Sequence, residues 1–332
     1  MPLVAHSSHP AFDALRGEGI DICAPAEASP ELPDLHIGLL NLMPDAALRA
    51  TDRQFLRLVS AHTDAANLHV YPFTVAAEYR SGPAREYVDS HYQDFSRLRH
   101  AELDGLIITG ANPARADLRE ETFWTPLVSV IEWGREAVHS IVCSCLATHA
   151  VLLNYYQIQR ARLPQKRWGV YSHDLLVEGH PLLRGVDSPF DAPHSHNYDV
   201  SRVTMEQVGL SVLAESEEAG VHMAVSEDQF SFVFFQGHPE YDAISLLKEY
   251  KREVDRFLAG ERDYPPYPEH YFGEAAVELL ETHKKLLTRE ESWQHELPQL
   301  PESEIAKDIT NTWYQAGGQI YSNWLSELSR RK

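Results

Sequence analysis

The sequence predicts an α/β protein built on a largely parallel β-sheet flanked by helices. Short apolar runs of strand length alternate with segments whose apolar residues recur at helical spacing, a pattern typical of βαβ units. The first of these runs, LHIGLLNLMP, is nearly continuous and ends at Pro44, as expected for a parallel strand buried on both faces. The sequence contains no internal repeat and no clear linker, which favours one domain with extensions.

The predicted elements follow one another in a regular order. In the first half, strands are predicted at residues 35–44, 68–75, 104–112 and 139–145. Helices are predicted within residues 47–62, 123–138, 146–156 and 244–258. The second half adds predicted strands at 168–176, 221–228 and 230–241. We expect an N-terminal arm over residues 1–34, the main domain over 35–300, and a helical C-terminal extension over 301–332 that packs on the same domain.

Composition narrows the class of protein. Hydrophobic residues make up 43% of the 332 residues, which is enough for a packed core. The formal net charge of −20 disfavours nucleic acid and anionic membranes as partners. Three cysteines fit a reducing compartment, and no segment is a candidate membrane span or leader. We therefore expect a cytoplasmic protein.

The junction IVCSCLATHA places Cys145 between a predicted strand and a predicted helix. A nucleophile elbow has this position and requires small residues two places to either side, here Cys143 and Ala147. The amide of Leu146 and the helix N-terminus would lower the pKa of the thiol and stabilise an oxyanion. A buried, inert cysteine is the alternative from the local pattern alone, and a metal site at the two cysteines is the weaker one.

A thiol nucleophile requires a base and a group that orients the base. His238 follows an apolar strand in FFQGHPEY, and Glu240 lies two residues later. The carboxyl ends of parallel strands are where open α/β sheets bind ligands, so His238 is the favoured base. His194 and His196 in APHSHNYD are candidate metal ligands, but no third ligand accompanies them at a recognisable spacing, so no metal is expected.

Several ordered motifs resemble the MetA-type homoserine O-acyltransferases. They are LLNLMP (39–44), TDRQFLRL (51–58), DGLIITGA (104–111), GVYSHDLL (169–176), APHS (192–195) and QGHPEYDA (236–243). The resemblance implies a flavodoxin-like fold related to class I glutamine amidotransferases, a homodimer, and a role in methionine biosynthesis. The sequence departs from the family pattern at PDAALRAT, at Asn112, at the elbow CSCLATHA and over residues 76–103.

The resemblance also implies roles for individual residues. The family's nucleophile, histidine and paired glutamate fall on Cys145, His238 and Glu240. Its lysine, serine and substrate-binding arginine fall on Lys166, Ser195 and Arg252. An arginine suits the last role because a guanidinium can make two parallel hydrogen bonds to a carboxylate.

The implied reaction is a ping-pong acyl transfer from an acyl-CoA co-substrate to the hydroxyl of L-homoserine, with no other cofactor. The amides of Leu146 and Ala111 would stabilise each oxyanion. Acyl choice in the family depends on a position that matches Ala114, where a small residue goes with succinyl and glutamate with acetyl. The neighbouring Arg115 could pair with the succinyl carboxylate. Succinyl-CoA is therefore the expected donor.

Other hypotheses remain open on the sequence alone. Acetyl-CoA could be the donor, and serine could replace homoserine, because one methylene provides only about 1–3 kcal/mol of discrimination. A glutamine amidotransferase or related thiol hydrolase would share the fold, although such domains usually have glycines beside the nucleophile. A catalytically silent protein is the remaining class. Such a protein would be expected to lack a member of the catalytic triad, which here is Cys145, His238 and Glu240.

Overall fold

The structure is a computed structural model that describes residues 3–61, 66–75, 77, 80–288 and 298–332. Its strands are β1 (Leu3–Val4), β2 (Ile22–Cys23), β3 (Asp34–Leu40), β4 (Asn67–Phe73), β5 (Gly105–Ile108), β6 (Ser140–Ser144), β7 (Ala161–Leu175), β8 (Phe190–Asp199), β9 (Ser211–Ser216), β10 (Gly220–Val225) and β11 (Phe232–Phe235). Its α-helices are α1 (Pro10–Gly17), α2 (Leu48–Ser60), α3 (Gly82–His91), α4 (Phe95–Leu98), α5 (Trp124–Ala137), α6 (Leu146–Tyr156), α7 (Arg202–Glu206), α8 (Ser245–Leu258), α9 (Glu274–Leu287), α10 (Glu302–Ile305) and α11 (Tyr314–Arg331).

These strands form a single sheet in the order β2-β1-β4-β3-β5-β6-β11-β10-β9-β7-β8. The pairings from β2 to β11 are parallel, and those from β11 to β8 are antiparallel. Ile108 pairs with Cys143 and Phe235 pairs with Ser144, so β5, β6 and β11 end at the same level. The loops that follow these three strands therefore meet at one edge of the sheet.

Helices cover both faces of the parallel part of the sheet. Side chains of β3 alternate between the two faces, so Leu39 joins one core and Leu40 the other. The first core contains apolar residues of α2 and α11, and the second those of α5 and α6. A smaller core lies between α8 and α9 and includes Trp168 of β7. The predicted largely parallel α/β architecture is confirmed.

Most predicted elements are present, but β8, at one edge of the sheet, and β9, between β10 and β7, were not predicted. The sequence of β8 is FDAPHSHNYD, in which polar residues obscure the pattern of a strand. β7 begins at Ala161, seven residues before the predicted start. The two strands of the N-terminal arm add to the edge of the sheet at β4. In the C-terminal extension, Trp324 packs on Gly105 and donates a hydrogen bond to Ser140 Oγ at 2.9 Å. The boundaries at residues 34 and 300 stay predictions.

None of the helices in the described part of the chain has both the length and the apolar character needed to cross a membrane.

Candidate active site

Cys145 occupies a strained turn between β6 and α6. Its backbone has φ 49° and ψ −102°, a conformation that L-residues with a side chain rarely adopt. The turn is held from below, because the Cys145 amide donates to the Phe235 carbonyl at 2.7 Å. The sharp turn predicted from the sequence is therefore present, and the thiol is half-buried at the N-terminus of α6.

The residues around the turn explain why the sequence can form it. Cys143 and Ala147 are both fully buried, and their small side chains let β6 and α6 approach closely. The Thr148 hydroxyl lies 2.9 Å from the Cys143 carbonyl and 3.0 Å from the Phe235 carbonyl, so it links the helix to both strands. Burial raises the pKa of the Cys143 thiol, which leaves this second cysteine neutral and unreactive.

His238 and Glu240 stand beside the thiol, in the loop after β11. The His238 amide donates to the Pro193 carbonyl at 2.7 Å, which fixes the loop against β8. His238 Nδ1 lies 2.8 Å from Glu240 Oε1, and both side chains are buried. Because Nδ1 donates to the carboxylate, Nε2 is left to accept a proton from the thiol.

The charges at this site favour a protonated imidazole. Burial disfavours charge on His238, but the Glu240 carboxylate and the Cys145 thiolate, both hydrogen-bonded to the ring, outweigh burial and raise its pKa well above the usual value. The surroundings of the ring therefore favour the imidazolium form of His238. The structure brings together the nucleophile, base and orienting acid expected from the sequence.

Gly110 closes the other side of the thiol. A methyl group added at Gly110 would lie 3.6 Å from Cys145 Cβ and 4.0 Å from His238 Cε1. The loop after β5 therefore faces the nucleophile, with Ala111 next in sequence. Leu146 is the first residue of α6, so its amide has no intrahelical acceptor. The role of the Leu146 and Ala111 amides as oxyanion donors stays a prediction.

Two cavities lie near this edge of the sheet, and neither includes the thiol. One of about 180 Å³ is lined by Met43, Ala111, Asn112 and Phe123, and so begins at the Ala111 loop. Another of about 650 Å³ lies further away, around Thr74 and its neighbours, and contains neither the thiol nor the imidazole. The candidate site is therefore defined by Cys145, His238 and Glu240 and not by the larger cavity.

A second polar cluster surrounds Glu249 of α8. Lys166 Nζ donates to Glu249 Oε2 at 3.1 Å, Ser195 Oγ donates to the same oxygen at 2.6 Å, and Tyr241 Oη donates to Oε1 at 2.8 Å. Burial raises the pKa of Glu249, but these three partners outweigh it and hold the pKa below its usual value. The structure thus unites Lys166 and Ser195 through a glutamate that sequence analysis did not identify.

The Glu249 cluster is continuous with the triad through Tyr241. The Tyr241 ring stacks on His238 with centroids 4.4 Å apart and an angle of 19° between the planes. Arg252 lies one turn beyond Glu249 on α8, and its side chain is 60% exposed. Its charge is among those that lower the pKa of Lys166, where burial is the main cause. Arg252 is therefore exposed beside the cluster, and its Nε lies 3.9 Å from Glu253 Oε1.

Ala114 and Arg115, the expected acyl-selecting residues, lie on an exposed loop after β5. The Arg115 amide donates to Glu121 Oε1 at 2.5 Å. Arg160 Nη2 lies 3.2 Å from each of the carbonyl oxygens of Arg115 and Ala116, and so ties this loop to the start of β7. The role of Ala114 in acyl selection stays a prediction.

His194 and His196 join a buried chain of imidazoles. His196 Nδ1 lies 2.8 Å from the Tyr198 carbonyl, His194 Nδ1 lies 3.0 Å from His196 Nε2, and His173 Nε2 lies 3.0 Å from His194 Nε2. Only one proton order satisfies all three contacts, with each neutral ring donating to the next. The ring of His222 lies near those of His173 and His194. One ring nitrogen from each of these three residues lies within 4.8 Å of the other two. Spacing in sequence did not reveal these neighbours.

Sequence reasoning missed the residues whose partners are distant in sequence. Tyr241 lies within the QGHPEYDA motif but was given no role, Glu249 lies beyond that motif, and Arg160 follows α6 in a segment without pattern. Their signal is a contact, such as Ser195 with Glu249 across 54 positions. Only the tertiary structure supplies it.

Comparison with known proteins gives a consistent result. A sequence model of the homoserine O-succinyltransferase family matches residues 2–331. The homoserine O-succinyltransferase of Methylobacter tundripaludum is 49% identical over 330 residues, covering 99% of this chain and 93% of the relative. That of Nitrosococcus oceani is 50% identical over 331 residues, covering 99% and 92%.

The fold was also compared with solved structures. A glutamine amidotransferase from Methylobacillus flagellatus superposes with a TM-score of 0.50 at 14% identity, covering 89% of this chain and 95% of that structure. At that identity the similarity shows the fold alone, and it confirms the expected glutamine amidotransferase-like architecture. Together, the whole-length match of the family model and the identity of its relatives show that the chain belongs to the homoserine O-succinyltransferase family.

Proposed function

We propose that this protein transfers a succinyl group from succinyl-CoA to the hydroxyl of L-homoserine through a thioester on Cys145. In the first half-reaction the Cys145 thiolate attacks the thioester carbonyl, and a bond forms between its sulfur and the acyl carbon. The carbon–sulfur bond to CoA then breaks, and the His238 imidazolium gives its proton to the departing CoA thiolate. Free CoA leaves, and a neutral imidazole remains beside the acyl-enzyme.

The second half-reaction reverses these roles. His238 Nε2 removes the proton from the homoserine hydroxyl, and the oxygen attacks the acyl carbon. The bond to the Cys145 sulfur breaks, which restores the thiolate and the imidazolium. Glu240 keeps the ring in the required tautomer throughout, because its carboxylate accepts from Nδ1. The amides of Leu146 and Ala111 stabilise the oxyanion in both halves.

The amino-acid acceptor is assigned to the Glu249 cluster. Arg252 is exposed on the rim and can bind the α-carboxylate through two parallel hydrogen bonds. Lys166 and Ser195 are held in place by Glu249, and Tyr241 connects that carboxylate to the His238 ring. The acceptor hydroxyl would thus be presented to the base from the side of α8.

Several wider features belong to the same proposal. The reaction requires no metal or cofactor beyond the acyl-CoA co-substrate. We further propose that the protein works as a homodimer in the cytoplasm and contributes to methionine biosynthesis. The three cysteines are unpaired, which supports a reducing compartment.

The observation that carries the proposal is the contact of His238 with both Cys145 and Glu240 at the carboxyl ends of β6 and β11. Initial rates of CoA release should be measured for the purified protein with succinyl-CoA or acetyl-CoA, each with homoserine or serine. The proposal expects the highest kcat/KM with succinyl-CoA and homoserine. A higher value with acetyl-CoA would assign the enzyme to the acetyl variant, and no transfer from either donor would overturn it. The variant Ala114→Glu should move the donor ratio toward acetyl-CoA.

A further inference from the structure

Arg160 is held rigidly at the junction of α6 and β7. Its Nη2 lies 3.2 Å from each of two backbone carbonyl oxygens, those of Arg115 and Ala116. Its guanidinium carbon lies 3.8 Å above the centre of the Tyr198 ring, a cation–π contact. Two carbonyls and an aromatic face fix the plane of the guanidinium, so the remaining N–H groups point in set directions.

The positive charge of Arg160 has no carboxylate partner among the described residues. Its hydrogen bonds to protein use Nη2 alone, and its Nε is buried without any partner. Glu121 and Asp117 are near enough to act on the charge, but Glu121 accepts from the Arg115 amide and Asp117 from Arg119. Burying an arginine whose N–H groups have no acceptor costs folding free energy unless an anion binds to it.

Arg160 is linked to the nucleophile through its charge and through the loop after β5. Burial lowers the pKa of Arg160, and the Cys145 thiolate is one of the charges that oppose this lowering. The loop that Arg160 binds follows β5, whose end at Gly110 packs against Cys145. An acyl group on the sulfur that extended along this loop would approach Arg160.

We propose that Arg160 binds the free carboxylate of the succinyl group and thereby selects the dicarboxylic acyl donor. This inference deepens, and rests on, the proposed succinyl transfer. A succinyl thioester has a carboxylate two methylenes from the reacting carbonyl, whereas an acetyl group has none. Among the described residues, Arg160 Nη1 has no hydrogen-bond acceptor, so it can donate a charge-assisted hydrogen bond to a carboxylate oxygen of the succinyl group.

Other cations near the site are less suited to this role. Lys166 donates to Glu249, and Arg252 lies beside Lys166 on the side assigned to the amino acid. Arg115 belongs to the same loop, but it is exposed, whereas Arg160 is half-buried and stacked. An anchor that selects a donor should be fixed before the donor binds, because less entropy is then lost on binding.

The test compares Arg160→Gln and Arg160→Lys with the wild type and with Arg162→Gln. Arg162 is a matched control, since it is an exposed arginine two residues further along the chain, in β7. Formation of the acyl-enzyme on Cys145 should be followed by intact mass during single turnovers with succinyl-CoA and with acetyl-CoA, without acceptor. Circular dichroism and thermal unfolding would verify the fold of each variant.

We expect Arg160→Gln to lower kcat/KM for succinyl-CoA on the order of 10- to 100-fold and to leave that for acetyl-CoA within about threefold. Arg160→Lys should recover part of the loss, and Arg162→Gln should match the wild type. Equal losses with both donors would overturn the inference, because they would indicate that Arg160 only supports the loop at residues 115 and 116. An unchanged succinyl rate would overturn it as well. Failure of the wild type to accept succinyl would instead refute the proposed function.

Discussion

The Nδ1 atom of His238 lies 2.8 Å from Oε1 of Glu240, and both side chains come from one loop that the Pro193 carbonyl fixes to β8. This contact settles the tautomer of the ring, since a carboxylate can only accept. It also makes a positive charge on the imidazole tolerable in a buried place, because the negative charge is in direct contact.

Replacing Glu240 by glutamine should slow both half-reactions by about 100-fold or more, because the amide cannot stabilise the imidazolium. Glu240 raises the pKa of His238 and so favours the imidazolium, and the variant ring should therefore stabilise less thiolate on Cys145 near neutral pH. Iodoacetamide alkylates the thiolate, so Cys145 of the variant should react more slowly at neutral pH and should require a higher pH to reach its full rate.

The exposed Glu261→Gln variant is the control for that experiment, since Glu261 forms a surface ion pair with Arg256. If Glu240→Gln kept the wild-type alkylation profile and rate, the carboxylate would have no role in setting the charge of the ring.

Gly110→Ala tests the space beside the thiol. The added methyl would lie 3.6 Å from Cys145 Cβ, which is ordinary contact, so stability should change by less than about 1 kcal/mol. The same methyl would occupy volume that the acyl group requires, and acylation should fall at least tenfold. Thermal unfolding and single-turnover acylation separate the two effects. Full activity would show that the acyl group approaches from another side.

Lys166 and Glu249 should behave as a coupled pair. Lys166→Met leaves a buried carboxylate with one partner fewer, and Glu249→Gln leaves a part-buried ammonium unmatched, so each should cost about 1–3 kcal/mol of stability. The double variant should cost less than the sum of the two singles. Denaturant unfolding of all four proteins gives the coupling energy, and strict additivity would contradict a direct interaction.

Five buried histidines predict that the folded protein loses stability as the pH falls. Burial lowers the pKa of His173 to about 4 and those of His149 and His196 to about 3, and it lowers the pKa values of His194 and His222 well below the usual value. Between pH 6.5 and 4 the unfolded chain binds protons that the folded chain does not, so stability must fall as pH decreases. Each ring should contribute about one proton to the uptake on unfolding.

The proton uptake follows from urea unfolding at several pH values between 7.0 and 5.0. A stability that stayed constant over this interval would mean that the rings are protonated in the folded protein, and the neutral hydrogen-bonded chain at His194 would then be wrong.

The sequence predicted the features that local pattern determines. Apolar runs revealed β3 to β6, and the small residues around Cys145 indicated the turn after β6, because turn geometry acts over a few positions. His238 was identified for the same reason, as it directly follows an apolar strand. Alignment of the carboxyl ends of parallel strands then brought the nucleophile and the base together.

The remaining features depend on contacts between distant segments. β8 is an edge strand rich in polar residues, so hydrophobic pattern could not reveal it, and its pairing with β7 is needed to place Ser195. In the sequence, Glu249 is one acidic residue of an amphipathic helix, and only its three hydrogen-bond partners distinguish it from the others. The unmatched charge of Arg160 is likewise visible only when every neighbouring carboxylate has been placed.

The most direct test of the account is the mass of the protein after incubation with succinyl-CoA in the absence of homoserine. Peptide mapping should find one succinyl group on Cys145 and none on Cys143, homoserine should remove it, and Cys145→Ala should take up none while keeping its fold. Succinyl on another residue, or rapid turnover with no acyl-enzyme that homoserine discharges, would contradict covalent transfer through this thiol.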